Sequence, residues 1–272
     1  MARSVERMKQ KVLVVVSSSV EKYTPRRLIS ELTGKFSISR VEAKQIVRDL
    51  IDSGELVYVY QYGNSFLEKS RHKPELISER VWLAPHRVGV NAGKNQVYVW
   101  LNYGGAFGTG RHPTTRLSIQ AIDFVLSQDN NVCLRENWPA LDVGTGTGVL
   151  AMVMARLGVG KVQGLDVESI ARKEAMENVE INGLADRISI SGNMLDEIEG
   201  KYGLLAANLR LPTLLEMVPV MQKLCIPDAG LVLSGIKEDE ALLLKSVCRE
   251  NKFGCIWEAA EGGWACQAYI KG

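Results

Sequence analysis

The chain has 272 residues, 24% of them charged, and a formal net charge of +2. That length admits two small domains or one large one, and with neither an 18-residue apolar stretch nor a signal-peptide pattern, no membrane span is expected. The five cysteines form no C-x-x-C pair and there are only three histidines, which argues against a disulfide framework or a metal site and for reduced thiols in the cytoplasm. The charge is unevenly spread. Residues 1–73 hold 14 Lys and Arg against 8 Asp and Glu, a net of +6, while the remainder holds 19 against 23, a net of −4. Such a split points to two domains with different partners.

The basic front end reads as three helices and a hairpin. The first helix is expected over residues 4–18. "TPRRLISELT", residues 24–33, opens with Thr24 as N-cap and Pro25 at the first helical position. After Gly34, Ser39 and Glu42 match the S-x-x-E capping box. Ala43, Ile46, Val47 and Leu50 then share one helical face, and Gly54 stops the helix. "LVYVYQYG" and "NSFLEKS" are short β-rich runs joined near Gly63–Asn64. This order resembles a winged helix-turn-helix. Arg40, Lys44 and Arg48, four apart, line up beside the core face of the second helix of the turn, where they can meet phosphates or dock a protein. Tyr58, Tyr60 and Tyr62 alternate along the first hairpin strand, share one face and can stack on bases. A solvated basic face with tyrosines packed beneath the hairpin would give the same pattern.

Residues 74–112 read as a β-rich connector. It runs into "GGAFGTGRHPTTR", in which Gly105 and Gly110 have the spacing of a phosphate loop. Arg111 and His112 stand where that loop needs Lys and Ser or Thr, and the segment precedes a helix that itself comes before the first cofactor strand, so the phosphate-loop reading fails. "PALDVGTGTGVLAMVMARLG" is a short apolar strand, a turn with Gly144, Gly146 and Gly148, and an apolar helix ending at Gly158. This geometry brings a ligand against backbone N–H groups and a helix N-terminus. The third glycine comes one position too early for a dinucleotide fingerprint. "KVQGLDVES" places Asp166 at the tip of the second strand, 22 residues beyond Gly144, where a carboxylate can accept both hydroxyls of a ribose; Asp166 alone does not choose between NAD and another adenosine cofactor. Ser169 is expected to cap a helix through Asn182, closed by Gly183. "RISISGNML" gives a third strand with Asn193 at its tip, and "YGLLAANLRLP" a fourth ending in Asn208. "GLVLSGI", "EDEALLLKSVCREN" and "CIWEAAEGGWACQAYI" give a strand, a helix and a hairpin turning at Gly262–Gly263.

The run from Asp142 through Gly148 resembles the D/E-x-G-x-G-x-G motif of class I S-adenosylmethionine methyltransferases. "AFGTGRHPTT", "LDVGTGTGVLA", "GLDVES", "NVEINGL" and "AANL" are similar, in order, to the ribosomal protein L11 methyltransferase family, PrmA type, from about residue 80 to the end. The resemblance implies an α/β fold, a class I Rossmann-like sheet with a C-terminal antiparallel strand pair; the winged-helix domain expected before it comes from the helix and hairpin pattern and is not typical of that family. It implies S-adenosylmethionine as cofactor and no metal. By it Thr115, Gly144, Asp166 and Asn208 match cofactor-contacting positions, and Phe107, Gly108 and Thr109 shape a lid beside the methyl group. Asp142 meets the cofactor's ammonium directly or through water, Gly146 and Gly148 complete the loop, and Asn193 reads an adenine edge. Asn208 also carries the catalytic assignment, because its oxygen can accept from an acceptor amine. His112 reads as a loop-ordering residue rather than a base. Arg210, next to Asn208–Leu209, departs from the family's Asn-Ile-Leu and suits an anionic neighbour. The expected organisation is a winged helix over 1–73, connector and lid over 74–112, and the cofactor domain over 113–272. The expected function is N-methylation of a protein amino group, ribosomal protein included. A nucleic-acid methylase using the winged helix, and a cofactor-sensing regulator, stay open at this stage.

Overall fold

The computed structural model describes residues 2–19, 22–61, 64–70, 73–102, 108, 110, 112–128, 133 and 136–272. The chain divides into two compact units, Met1–Lys73 and Pro74–Gly272.

The first unit consists of α1 (Ala2–Ser18), α2 (Pro25–Phe36), α3 (Arg40–Asp52) and the antiparallel pair β1 (Leu56–Gln61) and β2 (Asn64–Lys69). Thr24 Oγ1 accepts from the Arg27 N–H at 3.3 Å, with Pro25 opening the helix. α2 runs on through Gly34 to Phe36, further than the turn chemistry predicted. A lone exposed glycine costs a helix only about 1 kcal/mol, and the left-handed residue that ends it is Ser37, φ 52°. The capping box of α3 forms: the Glu42 N–H donates to Ser39 Oγ at 3.2 Å and the Ser39 N–H donates to the Glu42 carboxylate at 2.9 Å, which holds that carboxyl below its ordinary range. Ala43, Ile46, Val47 and Leu50 are buried with Val12, Leu28 and Leu32 in one apolar core. Tyr23, between α1 and α2, pairs with Leu67 in an isolated antiparallel bridge and sets a third segment of chain beside the hairpin.

The second unit holds two sheets. A small one joins β3 (Glu75–Leu76), β4 (Val81–Pro85) and β5 (Val97–Leu101), with β4 and β5 parallel. The large one contains β6 (Ala140–Val143), β7 (Val162–Leu165), β8 (Ile188–Ser191), β9 (Tyr202–Asn208), β10 (Cys225–Lys237), β11 (Phe253–Glu261) and β12 (Trp264–Lys271). Their order across the sheet is β11-β12-β10-β9-β6-β7-β8, and β12 runs against both its neighbours. Between them run α4 (Pro113–Ser127), α5 (Val149–Arg156), α6 (Ser169–Ile181), α7 (Leu211–Leu224) and α8 (Ala241–Glu250). Alternate sheet residues feed two cores. Leu204 and Ala206 pack with α4 and α5 on one face, Leu205 and Ala207 with α7 and α8 on the other, which is why the parallel strands read as unbroken apolar runs. The chain builds β6, β7 and β8 outward in one direction and then returns to place β9 on the other side of β6. A sheet of this kind binds ligands at that switch point, beyond the carboxyl ends of the strands.

Ser169 does not cap α6. The N-cap is Glu168, and Asp166 Oδ1 accepts from the Glu168 N–H at 3.0 Å, closing the turn before the helix. Among the described residues, no helix is long and apolar enough to cross a membrane, and no cluster of His, Cys, Asp and Glu could hold a metal ion. The five cysteines are unpaired; burial pushes the Cys133, Cys225, Cys248 and Cys266 thiols up to about 12.

Candidate active site

The tips of β6, β7 and β9, the segment after β8 and the start of α4 enclose a cavity of about 740 Å³, within the range of sites that bury a small-molecule ligand. Its floor is the glycine turn after β6. Gly144 and Gly146 have φ of 73° and 56°, left-handed values that a side chain tolerates poorly. A Cβ on Gly144 would also lie 2.7 Å from Leu209 Cδ2. The turn is held from outside the cavity. Asp142 Oδ2 accepts from Thr145 Oγ1 at 2.6 Å and from the Ala151 N–H at 3.1 Å. Thr147 Oγ1 donates to the Gly108 carbonyl at 2.9 Å, and the Thr147 carbonyl accepts from Asn178 Nδ2 at 3.0 Å. Asn178 Oδ1 in turn accepts from the Asn102 N–H at 2.9 Å, and one turn later Asn182 bonds both backbone groups of Trp100. These two buried asparagines tie β5 and the segment that follows it to the glycine turn.

At one end of the cavity, Asp166 Oδ2 accepts from the Gly146 N–H at 2.9 Å. With Oδ1 on Glu168, each oxygen keeps acceptor capacity for a further donor. Val167, Ile170 and Met194 line the same end and are exposed there, an apolar flank for a flat ring. At the other end stands Asn208. Its side chain lines the cavity and has no hydrogen-bond partner among the described residues. Its backbone is fixed by register: Asn208 lies opposite Ser234 of β10, and the Leu209 N–H donates to the Ser234 carbonyl at 3.0 Å. The next residue, Gly235, sits where the β10–β12 register shifts, with φ 89°, and a Cβ there would run into the Leu209 carbonyl. Arg210, Thr213, Met217, His112 and Trp264 complete this end.

The His112 ring meets Trp264 edge-on at 4.8 Å, and Lys237 Nζ lies 3.5 Å from the Trp264 ring centre. Burial, then the charges of Arg116 and Lys237, lowers the His112 pKa. Nδ1 caps α4 by accepting from the Thr114 N–H and lies 2.8 Å from Thr114 Oγ1, so this nitrogen is engaged with the start of the helix.

Of the residues singled out in the sequence, Gly144, Gly146, Asp166, Asn193 and Asn208 converge on this one cavity. Asp142, Thr115 and Gly148 are not among its lining residues. Asp142 and Thr115 are almost wholly buried, and Gly148 is the N-cap of α5, close against Ala175. The bonds of Asp142 Oδ2 to Thr145 Oγ1 and the Ala151 N–H turn its side chain under the loop rather than over it. Phe107 and Thr109, with Gly105, Arg111, Tyr62 and Gly63, lie outside the described residues. Arg40, Lys44 and Arg48 belong to the first unit, where all three are exposed. Gly235, Trp264, Thr213 and Met217 were missed. Only Gly235 left a signal, a glycine inside an apolar strand, which marks a bulge or a close backbone approach.

The arrangement fits a nucleoside with a cationic amino-acid tail. The carboxylate of Asp166 suits a ribose, the glycine turn brings bare backbone to the cavity, and two buried polar atoms, Asp142 Oδ1 below the turn and Thr115 Oγ1 in the first turn of α4, have no partner among the described residues. S-adenosylmethionine has these parts.

Comparison with known proteins agrees. The family described as "Ribosomal protein L11 methyltransferase (PrmA)" matches residues 66–271. A ribosomal protein L11 methyltransferase of Clostridium perfringens is 28% identical over 233 residues, 82% of this chain and 71% of that protein. One from Trichlorobacter lovleyi is 32% identical over 203 residues, 74% of this chain and 65% of that protein. The crystal structure of ribosomal protein L11 methylase from Lactobacillus delbrueckii subsp. bulgaricus superposes with a TM-score of 0.64 at 26% identity, over 73% of this chain and 99% of that one.

Proposed function

This chain belongs to the ribosomal protein L11 methyltransferase (PrmA) family and is an S-adenosylmethionine-dependent methyltransferase, and we propose that it methylates an amino group of a protein, with ribosomal protein L11 the first candidate. The observation that carries this reading is the unpaired amide of Asn208 at the tip of β9, beside apolar walls and opposite the Asp166 end of the cavity.

In this account Asp166 takes the ribose hydroxyls, Val167, Ile170 and Met194 flank the adenine, and Asn193 reads its edge. Gly144 and Gly146 let the methionine part pass close to the backbone. Asp142 acts on that tail from beneath the turn, through water, and Thr115 from the first turn of α4. The bound cofactor supplies a methyl group already activated on a sulfonium. The chain has to align the acceptor and keep it neutral. Asn208 Oδ1 accepts an amine N–H and directs the nitrogen lone pair inward. Trp264 and Met217 exclude water, which favours the uncharged amine. His112, its pKa lowered by burial, orders the start of α4 through Nδ1 and is not the group that takes the amine's proton. Arg210 suits a carboxylate next to the acceptor. The first unit serves as a winged-helix docking module; its helix order and the Tyr23–Leu67 bridge support that reading. Such an enzyme works in the cytoplasm.

The test uses a cell extract lacking this protein. Purified protein and methyl-labelled S-adenosylmethionine are added, and the products are split between protease and nuclease. Label released only by protease, and transferred to purified ribosomal protein L11 in its place, is the expected result. Label released only by nuclease would make this a nucleic-acid methylase and end the protein reading.

A further inference from the structure

The first unit carries a charged face that methyl transfer does not use. Around α3, Arg40, Lys44 and Arg48 run along one flank of the stripe Ala43–Ile46–Val47–Leu50, and Glu42 and Asp49 run along the other. The acidic flank is engaged: Glu42 closes the capping box, while Asp49 takes Lys9 at 3.5 Å and Gln45 Nε2 at 2.7 Å. The three cations are exposed, and none has an ion pair among the described residues. They follow one another about every 6 Å along the helix axis, so they repel unless a polyanion lies over them. The unit as a whole is strongly basic, with a net of +6 over residues 1–73.

The hairpin adds a second feature. On the face of β1 and β2 where Leu56 and Leu67 are buried, Tyr58 and Tyr60 come next along the strand and are 57% and 74% exposed. These rings leave the core rather than close it. Two exposed aromatic faces two residues apart, on a unit with an unpaired row of cations, are the parts that hold a nucleic-acid strand: charge for the backbone and rings for the bases. Duplex DNA presents base edges in its grooves, and the rings would find no base face there. The deep major groove of A-form RNA does not admit side chains. Unpaired bases are the match.

We infer that the first unit binds single-stranded RNA, with Arg40, Lys44 and Arg48 on phosphates and Tyr58 and Tyr60 stacked on bases. The choice of RNA over DNA rests on the reading that the acceptor is ribosomal; the phosphate and stacking contacts do not.

The experiment is fluorescence anisotropy with the full-length protein and a labelled single-stranded RNA of about 16 nucleotides, the upper end of a single-module site, without cofactor. Single-stranded DNA and duplexes of the same sequence are the competitors. Single-stranded RNA should bind at least tenfold tighter than either duplex. Changing Arg40, Lys44 and Arg48 together to Ala should flatten the log–log salt slope by about 2, three phosphates at about 0.7 each. Tyr58→Ala with Tyr60→Ala should weaken binding about tenfold with the salt slope unchanged. Both variants should keep the wild-type melting temperature and S-adenosylmethionine affinity. RNA affinity that is absent or indifferent to both variants would overturn the inference. So would a preference for a duplex or for DNA, or a cation row that governs capture of the protein acceptor but not of RNA. Because no methyl transfer is read, failure here leaves the proposed acceptor standing, and failure of the acceptor reading leaves the phosphate and stacking contacts standing.

Discussion

Among the described residues of the first unit no polar side chain is buried, whereas in the second Asp142, Thr145, Thr147, Asn178, Asn182 and Ser234 all are. The first unit has a purely apolar core, with its caps and charges at the surface. The second threads a hydrogen-bonded network through its core and hangs the cavity on it. A buried polar group must be bonded or it destabilises. A unit built that way specifies positions to fractions of an ångström, while a unit with an apolar core tolerates change at its surface. Chemistry belongs in the networked unit, and an interaction face can belong in the apolar-cored one.

The contrast predicts where substitutions hurt. Asp142 has the largest effect. Burial, partly offset by the bonds to Thr145 and Ala151, raises its pKa from an ordinary 3.8 to about 6. A raised carboxyl favours folding while it is protonated, so its contribution is full below the unfolded pKa and is lost as the pH rises through about 6. The amount is about 3 kcal/mol. Compared with Asp142→Asn, the wild type should lose that much stability between pH 4 and pH 7 in urea titrations; superimposable pH profiles would contradict the burial argument. Gly235→Ala comes next. It strains a left-handed position and pushes on the Leu209 carbonyl, at a cost of about 1–3 kcal/mol, and methyl transfer should fall with it, since Leu209 and Asn208 move together. Thr147→Val leaves the Gly108 carbonyl without its donor and should cost about 1 kcal/mol, recovered by Thr147→Ser; thermal melts of the pair decide it. Arg48→Ala, in the first unit, should change stability by no more than about 0.5 kcal/mol. A loss comparable to that of Gly235→Ala would mean the first unit too is built on its polar groups.

Much of the cavity was legible because its signals are local. Gly144, Asp166, Asn193 and Asn208 each sit at the tip of a strand, and a strand, a turn and a helix can be read from a dozen consecutive residues. Side-chain direction was less legible. Asp142 belongs to the same motif, but in a four-residue strand buried on both faces nothing in the sequence says whether a carboxylate points over the turn or under it. The acceptor end was hardest. Gly235 reaches it through a bulge, and Trp264 by following the reversed strand pair back to β10, so each depends on sheet register more than 20 residues from Asn208. The same distance hid the tie between Asn102 and Asn178, which no single motif spans.

The cavity is read as two ends with separate duties, Asp166 gripping the cofactor and Asn208 meeting the acceptor. The direct measurement is calorimetric titration of S-adenosylmethionine into Asp166→Ala and Asn208→Ala, with the methyl-transfer rate of each taken on the same preparation. Asp166→Ala should weaken cofactor binding by about 1–3 kcal/mol for the orphaned ribose contacts. Asn208→Ala should keep affinity within a few-fold and lose about 100-fold in rate, the size expected when an acceptor is no longer aligned. If both variants lose affinity alike, or Asn208→Ala turns over as fast as the wild type, the two ends are not separate and the account is wrong.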